Sequence, residues 1–400
     1  MPISGFRAFW LAQSTSQLAE HSTSAVLPLL AVLTLDVTAP DLGLLRAAGQ
    51  APLLLLPLLA GAWVDRRPGR GVMVLADVGR ALILTAAAAA AFLGRLDVPL
   101  LLVTAFAVGA LSVFFDVAYQ GFLVRLTDRD HLLPAVGRIE GARSAAQMAG
   151  PALGGALVSA LSAPLAAASA ALVFGVSAVS LTRIGNRFAA PAGRTRIRDG
   201  VAFVARDPLL RTICVVSGAF HLSLAAAMTL YLLYLPRTLG LSAASIGLVL
   251  AATGPGALLG SVLAARLPRR FGYGPVIVVA AFAGDGVMLV VPALPGGGGA
   301  TVAALIAVNL VFGTFGQVVN ITVMAVRQSV TPDSLQGRVA ATITFAGMGL
   351  APVGSLVGGL LGGQLGLRPA LMVAAAGLLL SPVLMLLSPL ARVGRVTVSG

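Results

Sequence analysis

The chain has 400 residues, 58% of them hydrophobic and 10% charged, with a mean hydropathy of +0.96. Soluble domains carry about a quarter charged residues, so this composition excludes a soluble globular protein and points to a chain embedded in a bilayer. The formal charge of +13 comes from 27 basic residues, all arginine, but they are scattered among short loops, which excludes a nucleic-acid-binding face, and the single cysteine, Cys214, excludes disulfide and thiolate-metal frameworks.

A bilayer-spanning helix needs about 20 mostly apolar residues. Such segments run near 8–35, 42–64, 71–94, 99–124, 139–161, 164–183, 212–236, 243–265, 274–294, 301–326, 339–364 and 369–390. The sequence therefore predicts an all-α polytopic membrane protein with twelve transmembrane helices. The first segment is broken by Gln13, Gln17, Glu20 and His21 and is followed by no small-residue cleavage site, so it is expected to be retained rather than removed as a leader. Arginine position sets orientation. Arg7, the cluster Arg66, Arg67 and Arg70, Arg125, Arg129, Arg138, the stretch from Arg183 to Arg211, Arg266, Arg269, Arg270, Arg327, Arg338, Arg392 and Arg395 fall on one side, against Arg95, Arg237 and Arg368 on the other. Both termini are expected to be cytoplasmic, in the inner membrane. In the longest loop, Ile197, Val201 and Val204 recur at helical spacing beside Arg194, Arg196, Arg198 and Arg206. That pattern fits an amphipathic helix on the membrane surface, or a linker with a few buried contacts.

The chain repeats itself. LLAGAWVDRRPGRG from Leu58 is echoed by LLGSVLAARLPRRFG from Leu258, LTDRDHLLPAVGR ending at Arg138 by VTPDSLQGR ending at Arg338, and Gly150-Pro151 by Ala351-Pro352. A six-helix unit duplicated in one orientation is the plan of transporters built from two halves. The expected division is 1–184, a linker at 185–211, and 212–400.

Ionisable groups inside a membrane are costly and mark functional candidates. Gln13, Gln17, Glu20 and Ser24 form one stripe on helix 1; Ser112, Asp116 and Gln120 recur four apart on helix 4; Ser217 and His221 lie on helix 7; Asn309, Gln317, Asn320 and Arg327 share a face of helix 10. Helices 3, 6 and 12 are nearly polar-free beyond their ends. Glu20 lies about 12 residues into its helix, roughly 18 Å at 1.5 Å per residue, near the midplane, and the adjacent His21 points about 100° away. Glu140 and Arg143 are i, i+3 neighbours and read as an ion pair. Asp77 and Arg80 repeat that spacing and are expected to brace the loop before them, while Asp285, between Gly284 and Gly286, has no assigned role. The first half thus holds three intramembrane acids, Glu20, Asp116 and Glu140, and the second only Asp285. Glu20, with no arginine within a helical turn, is the best candidate for a proton-coupling carboxylate.

The loop GAWVDRRPGRG resembles the signature loop of the major facilitator superfamily, G-x-x-x-D-R-x-G-R-R, with Pro68-Gly69 shifting the second glycine. Gly137 and the run Gly150, Pro151, Ala152, Leu153, Gly154, Gly155 resemble the helix 5 glycine-proline motif of drug and proton antiporters, with Ala146 where a glycine is usual. FRAFWLAQSTSQLAE, DVGRAL, IEGARSAAQMAGPALGG and QGRVAA resemble the branch that includes the enterobactin exporter and macrolide efflux proteins. The resemblance implies that helices 1, 4, 7 and 10 line a central cavity, with Gln17, Glu20, His21, Asp116, Gln120, His221, Asn309, Gln317 and Asn320 as its polar lining, while helices 3, 6, 9 and 12 face lipid. It also implies a conformational latch: Asp65 at the start of helix 11 near Arg338, Arg66 and Arg70 paired with acids of their own half, and Gly61 at a close helix approach. Glu140, Arg143, Gly150, Pro151, Gly154 and Gly155 would make helix 5 close-packed and bendable.

These readings converge on a monomeric secondary active transporter, not an enzyme, that exports a small, largely apolar or amphiphilic molecule such as a drug, siderophore or other secondary metabolite. Its partners are that substrate, protons and the lipid bilayer. No cofactor or metal is expected: His21, His131 and His221 lie on separate segments without ligand spacing, and a chain without lysine has no nucleotide-binding P-loop. A proton-coupled importer and a non-transporting receptor on the same fold are the alternative readings, since fold does not fix function.

Overall fold

A computed structural model describes the backbone of residues 3–64, 66–126, 129–184, 197–296, 298–332 and 335–394. Among these residues every regular element is helical. In chain order they are α1 (Ile3–Thr34), α2 (Ala39–Leu55), α3 (Pro57–Val64), α4 (Gly69–Phe92), α5 (Val98–Leu126), α6 (Arg129–Ala160), α7 (Ala163–Thr182), α8 (Ile197–Arg206), α9 (Pro208–Arg237), α10 (Ala243–Ala251), α11 (Thr253–Phe271), α12 (Tyr273–Val287), α13 (Gly299–Val330), α14 (Gln336–Met348), α15 (Ala351–Leu365), α16 (Leu367–Leu378) and α17 (Leu380–Leu386). Several expected helices are interrupted where proline removes a backbone donor. The second breaks at Leu56 before Pro57, and the ninth tightens into a 3-10 turn, Met288–Ala293, that contains Pro292.

Nine helical stretches among the described residues are long and apolar enough to cross a membrane. The remaining expected spans fall on α1, on α2 with α3, and on α6. Gln17, Glu20 and His21 lower the hydropathy of α1, and the second is split at Leu56 into α2 and α3, each too short by itself.

The chain forms two compact units, Met1–Val37 with Ala48–Gly193, and Thr38–Ala47 with Arg194–Gly400. The stretch Thr38–Ala47, at the start of α2, thus belongs with the second unit, where a Cβ on Gly43 would stand 2.6 Å from the Ser355 carbonyl oxygen. In the first unit Phe9, Met73, Phe115, Phe122 and Leu181 form the buried core between α1, α4, α5 and α7. The duplication is visible in the packing. Gly154 of α6 lies on the Ser22 carbonyl of α1, and Gly354 of α15 lies on the Leu222 carbonyl of α9, both partners offset by 200 residues. Neither glycine has room for a Cβ, which is how small residues let membrane helices approach.

Of the two readings of the long loop, burial favours the packed one. Val204 of α8 is buried with Ile213, Val326 and Val339, and a Cβ on Gly200 would come within 2.7 Å of the Arg338 Cβ, so α8 docks on α9 and α14. The Asp207 side chain then caps α9, accepting from the backbone N–H groups of Leu209 at 2.8 Å and Leu210 at 2.9 Å, with Pro208 at the first helical position.

Candidate functional site

The first unit encloses a set of charges built around Arg80. Its side chain is fully buried in α4 and held from three neighbouring helices. It donates to Asp77 Oδ1 one turn earlier, to Ser16 Oγ of α1 at 3.0 Å, to Ser112 Oγ of α5 at 3.0 Å and to Glu20 Oε2 of α1 at 3.4 Å. The rings of Phe115 and Phe174 flank the guanidinium at 4.7 and 4.4 Å from their centroids, an arrangement in which the ring faces attract the cation. Asp77 is equally buried, and both its oxygens are occupied. Oδ1 also accepts from Ser16 Oγ at 3.0 Å, and Oδ2 accepts from Ser177 Oγ of α7 at 2.5 Å. Burying ions requires such compensation, because an uncompensated charge costs several kcal/mol, on the order of 3 to 5 when one partner of a buried pair is lost.

Glu20 is the loose end of this set. Its side chain keeps 29% of its exposure, and its one described partner is Arg80. One turn before it, Gln17 Nε2 donates to Asp116 Oδ1 of α5 at 3.4 Å. His21 lies under Gly150, whose absent side chain would otherwise overlap the His21 Cβ. A strip of α1 from Ser16 to His21 therefore meets α4, α5 and α6 at one level, with two half-buried carboxylates, Glu20 and Asp116, beside a locked Asp77–Arg80 pair.

The second unit is built differently. Asn309 of α13 donates to the hydroxyl of fully buried Tyr231 at 2.7 Å and to the Leu305 carbonyl at 2.9 Å, so its amide ties α13 to α9. A ring nitrogen of His221 lies 2.8 Å from the Ser217 carbonyl. Gln317 is half-buried beside Gly260, Asn320 is exposed, and Asp285 is buried with no partner among the described residues. No group of histidine, cysteine and acidic side chains able to hold a metal occurs among the described residues.

A family model described as transmembrane secretion effector, of the major facilitator superfamily, matches residues 1–398. The chain belongs to that family. The transporter is 26% identical over 396 residues to the MFS-type transporter YfiS of Bacillus subtilis, covering 94% of this chain and 91% of the relative. It is 27% identical over 379 residues to the multidrug efflux pump Tap of Mycolicibacterium fortuitum, covering 90% and 89%. Two solved structures share the fold. The nucleoside transporter NupG matches with a TM-score of 0.71 at 13% identity, covering 97% of this chain and 99% of that one. A bacterial homologue of the iron transporter ferroportin matches with a TM-score of 0.74 at 15% identity, covering 96% and 98%. The major facilitator fold, with its two pseudo-symmetric halves, is thus the fold of this transporter.

Several sequence expectations change in the transporter. Glu20 has an arginine partner after all, contributed by α4 across the helix interface, where helical spacing along α1 could not show it. Asp77 and Arg80 do not brace the loop before α4. They lie two to three turns inside the helix and bind α1, α5 and α7, so the third helix is not polar-free on its inner side, and Ser177 gives α7 a polar contact as well. Asp77 is a fourth intramembrane acid of the first half. Its signal was the i, i+3 acid and arginine pair deep within an apolar run, the same signal that marked Glu140 and Arg143. Arg46 of α2 was also passed over; its Nε is buried without a partner.

In the signature loop, Arg70 donates to the Thr182 carbonyl at the end of α7 at 2.9 Å rather than to an acid, and Arg67 stacks on Trp63 at 4.2 Å. A Cβ on Gly61 would meet nothing within 4 Å, so Gly61 is not at a close approach, whereas its repeat partner Gly260 abuts the Thr314 carbonyl. Arg66 is exposed, and Arg338 underlies Gly200 of α8. In α6, Gly150 and Gly154 make the expected close contact with α1, Gly155 is buried and Pro151 is half-buried, and Arg143 is exposed. Asp65 and the side chains of Gln120, Glu140 and His131 lie outside the described residues.

Proposed function

We propose that this transporter exports a small, largely apolar or amphiphilic molecule in exchange for protons, and that Glu20 carries the exchanged proton. The observation that carries this reading is the asymmetry around Arg80. Asp77 and Arg80 cancel each other, are fully buried, and both Asp77 oxygens are occupied, so Glu20, half-exposed and held at one oxygen only, is the negative charge left over beside Arg80. A proton on Glu20 removes that surplus charge and loosens its hold on Arg80. Such a change at a helix interface biases one arrangement of α1 and α4 over another, and a ligand or proton acts on a conformational equilibrium only through such a difference.

Outward transport is supported by the secretion-effector family to which the chain belongs and by its similarity to the multidrug efflux pump Tap. The few charges of the second unit, Asp285 apart, favour an apolar or amphiphilic substrate over a strongly charged one. In this reading the chain crosses the cytoplasmic membrane twelve times as a monomer, with 1–184 and 212–400 as halves, 185–211 between them, and both ends in the cytoplasm.

The test is reconstitution into proteoliposomes with an amphiphilic fluorescent dye and an imposed pH gradient. Wild-type flux is expected to follow the gradient, and Glu20→Gln flux to become indifferent to it while dye binding persists. Wild-type flux that ignores the gradient overturns proton exchange. Equal gradient responses in both proteins leave exchange standing and remove Glu20 as its carrier.

A further inference from the structure

One end of the first unit gathers arginine around two grooves. Ser177 Oγ lies 2.8 Å from the Ala12 carbonyl and 2.5 Å from Asp77, which sets α1, α4 and α7 at a common level. From that level, Arg7 lies toward the start of α1, Arg66, Arg67 and Arg70 toward and before the start of α4, and Arg183 just beyond the end of α7. The Trp10 indole donates to the Arg138 carbonyl at 3.3 Å, which brings Arg138 of α6 to the same end. None of these six arginines has a carboxylate partner among the described residues; the described ion pairs both belong to Arg80.

A cavity of about 380 Å³ opens here between α4 and α7, lined by Pro68, Arg70, Gly71, Val74, Leu75, Val78 and Thr182. Its polar rim is Arg70, half-buried, with one arm spent on the Thr182 carbonyl and no other hydrogen bond among the described residues for the rest of its five-donor fork. Its floor is apolar. Beyond it, Leu75, Val78 and Leu82 on α4 and Val176 and Val179 on α7 are exposed and continue as an apolar track along the paired helices. A second groove at the same end combines Arg7 and Arg138 with Phe6 and Trp10, and tryptophan is a residue enriched at membrane interfaces.

A guanidinium at the mouth of an apolar channel that runs along a lipid-facing helix pair matches one molecule: phosphate above, acyl chain below. We propose that the groove between α4 and α7 is a binding site for an acidic phospholipid, with Arg70 on the phosphodiester and the acyl chain along Leu75, Val78 and Val179. A zwitterionic lipid offers the same chain, but its own ammonium cancels the headgroup charge that these arginines attract. Basic pockets between transmembrane helices recognise anionic headgroups by this combination. The site would tie the lipid's charge to the end of α7, because Arg70 also closes the last turn of that helix.

The experiment measures binding of phosphatidylglycerol and phosphatidylcholine to the delipidated full-length protein in detergent, by native mass spectrometry, with inorganic phosphate as competitor. Wild type is expected to prefer phosphatidylglycerol. Arg70→Ala is expected to weaken that binding about fivefold, the equivalent of roughly 1 kcal/mol for one basic side chain near a membrane surface, and to leave phosphatidylcholine unchanged. Arg70→Ala also removes a helix-end contact, so Gly71→Glu serves as the second variant. Gly71 is exposed, an added Cβ there meets only Pro68 Cγ at 3.5 Å, and an acid in the first turn of a helix is favourable to folding, yet it sets a negative charge inside the groove. A loss of phosphatidylglycerol binding in Gly71→Glu of at least the same size supports the site. Unchanged preference for phosphatidylglycerol in either folded variant overturns it. Displacement of the lipid by millimolar phosphate alone overturns the lipid as occupant in favour of a free anion.

Discussion

The two units of this transporter share a packing scheme and differ in what fills it. Gly154 on Ser22 and Gly354 on Leu222 make the same contact 200 residues apart, yet the first unit encloses a hydrogen-bonded cluster of Arg80, Asp77, Glu20 and Asp116, whereas the second encloses Asn309, Tyr231 and His221 in neutral hydrogen bonds, with Asp285 and Arg46 on separate helices. Backbone packing through small residues is indifferent to side-chain charge elsewhere on the helix, so a duplicated scaffold can keep its seams while one copy acquires ionic chemistry. The signature loop and its counterpart diverge in the opposite sense: the glycine is open at Gly61 and closely packed at Gly260. Sequence similarity between repeats therefore marks equivalent positions without guaranteeing equivalent contacts.

The largest effect that would test this contrast is at Arg80. Arg80→Met should lower stability by about 3 to 5 kcal/mol, because Asp77 is left buried without its cation. The double variant Asp77→Asn/Arg80→Met should recover most of the loss, as measured by thermal unfolding in detergent. No buried ion pair is described in the second unit, so an equal loss from Asp285→Asn would erase the distinction. Next in size are the seams. Gly154→Ala sets a Cβ 2.6 Å from the Ser22 carbonyl oxygen and should cost about 1 to 3 kcal/mol, with Gly354→Ala at least as costly. Gly61→Ala, with open space around it, should instead be neutral or gain up to about 1 kcal/mol from helix propensity. A Gly61→Ala protein as unstable as Gly154→Ala would show that the signature-loop glycine is tightly packed in a conformation other than this one.

Smaller effects sharpen the neutral side of the comparison. Asn309→Ala should cost about 1 kcal/mol, within the range of single hydrogen bonds between membrane helices, since the buried Tyr231 hydroxyl loses its described donor. Unfolding of the purified variant by a denaturing detergent would read this out. Least of all, Asp285→Asn should change stability by less than about 0.6 kcal/mol, because no described partner is lost. A larger change by the same assay would mean that Asp285 is held by a contact made in another state of the transporter.

Much of the architecture was legible in the residues alone. Hydropathy marked the helices because a bilayer admits only segments that satisfy their own backbone hydrogen bonds. The offset between GAWVDRRPGRG and its echo exposed the duplication. Gly150 and Gly154 were readable as a close-packing stripe for the same reason, since the stripe depends on one helix's own periodicity. What the sequence could not decide was which stripes meet. Periodicity along α1 placed Gln17 and Glu20 on one face, but the partner of Glu20 comes from α4, 60 residues away, and the partners of Asp77 come from α1 and α7 as well as from its own helix. An ion pair one turn apart looks the same in sequence whether it braces a loop or is sealed in a helix bundle. Only the approach of α1, α5 and α7 to α4 separates those cases, by removing water from Arg80 and supplying the hydroxyls and aromatic faces that make its burial tolerable.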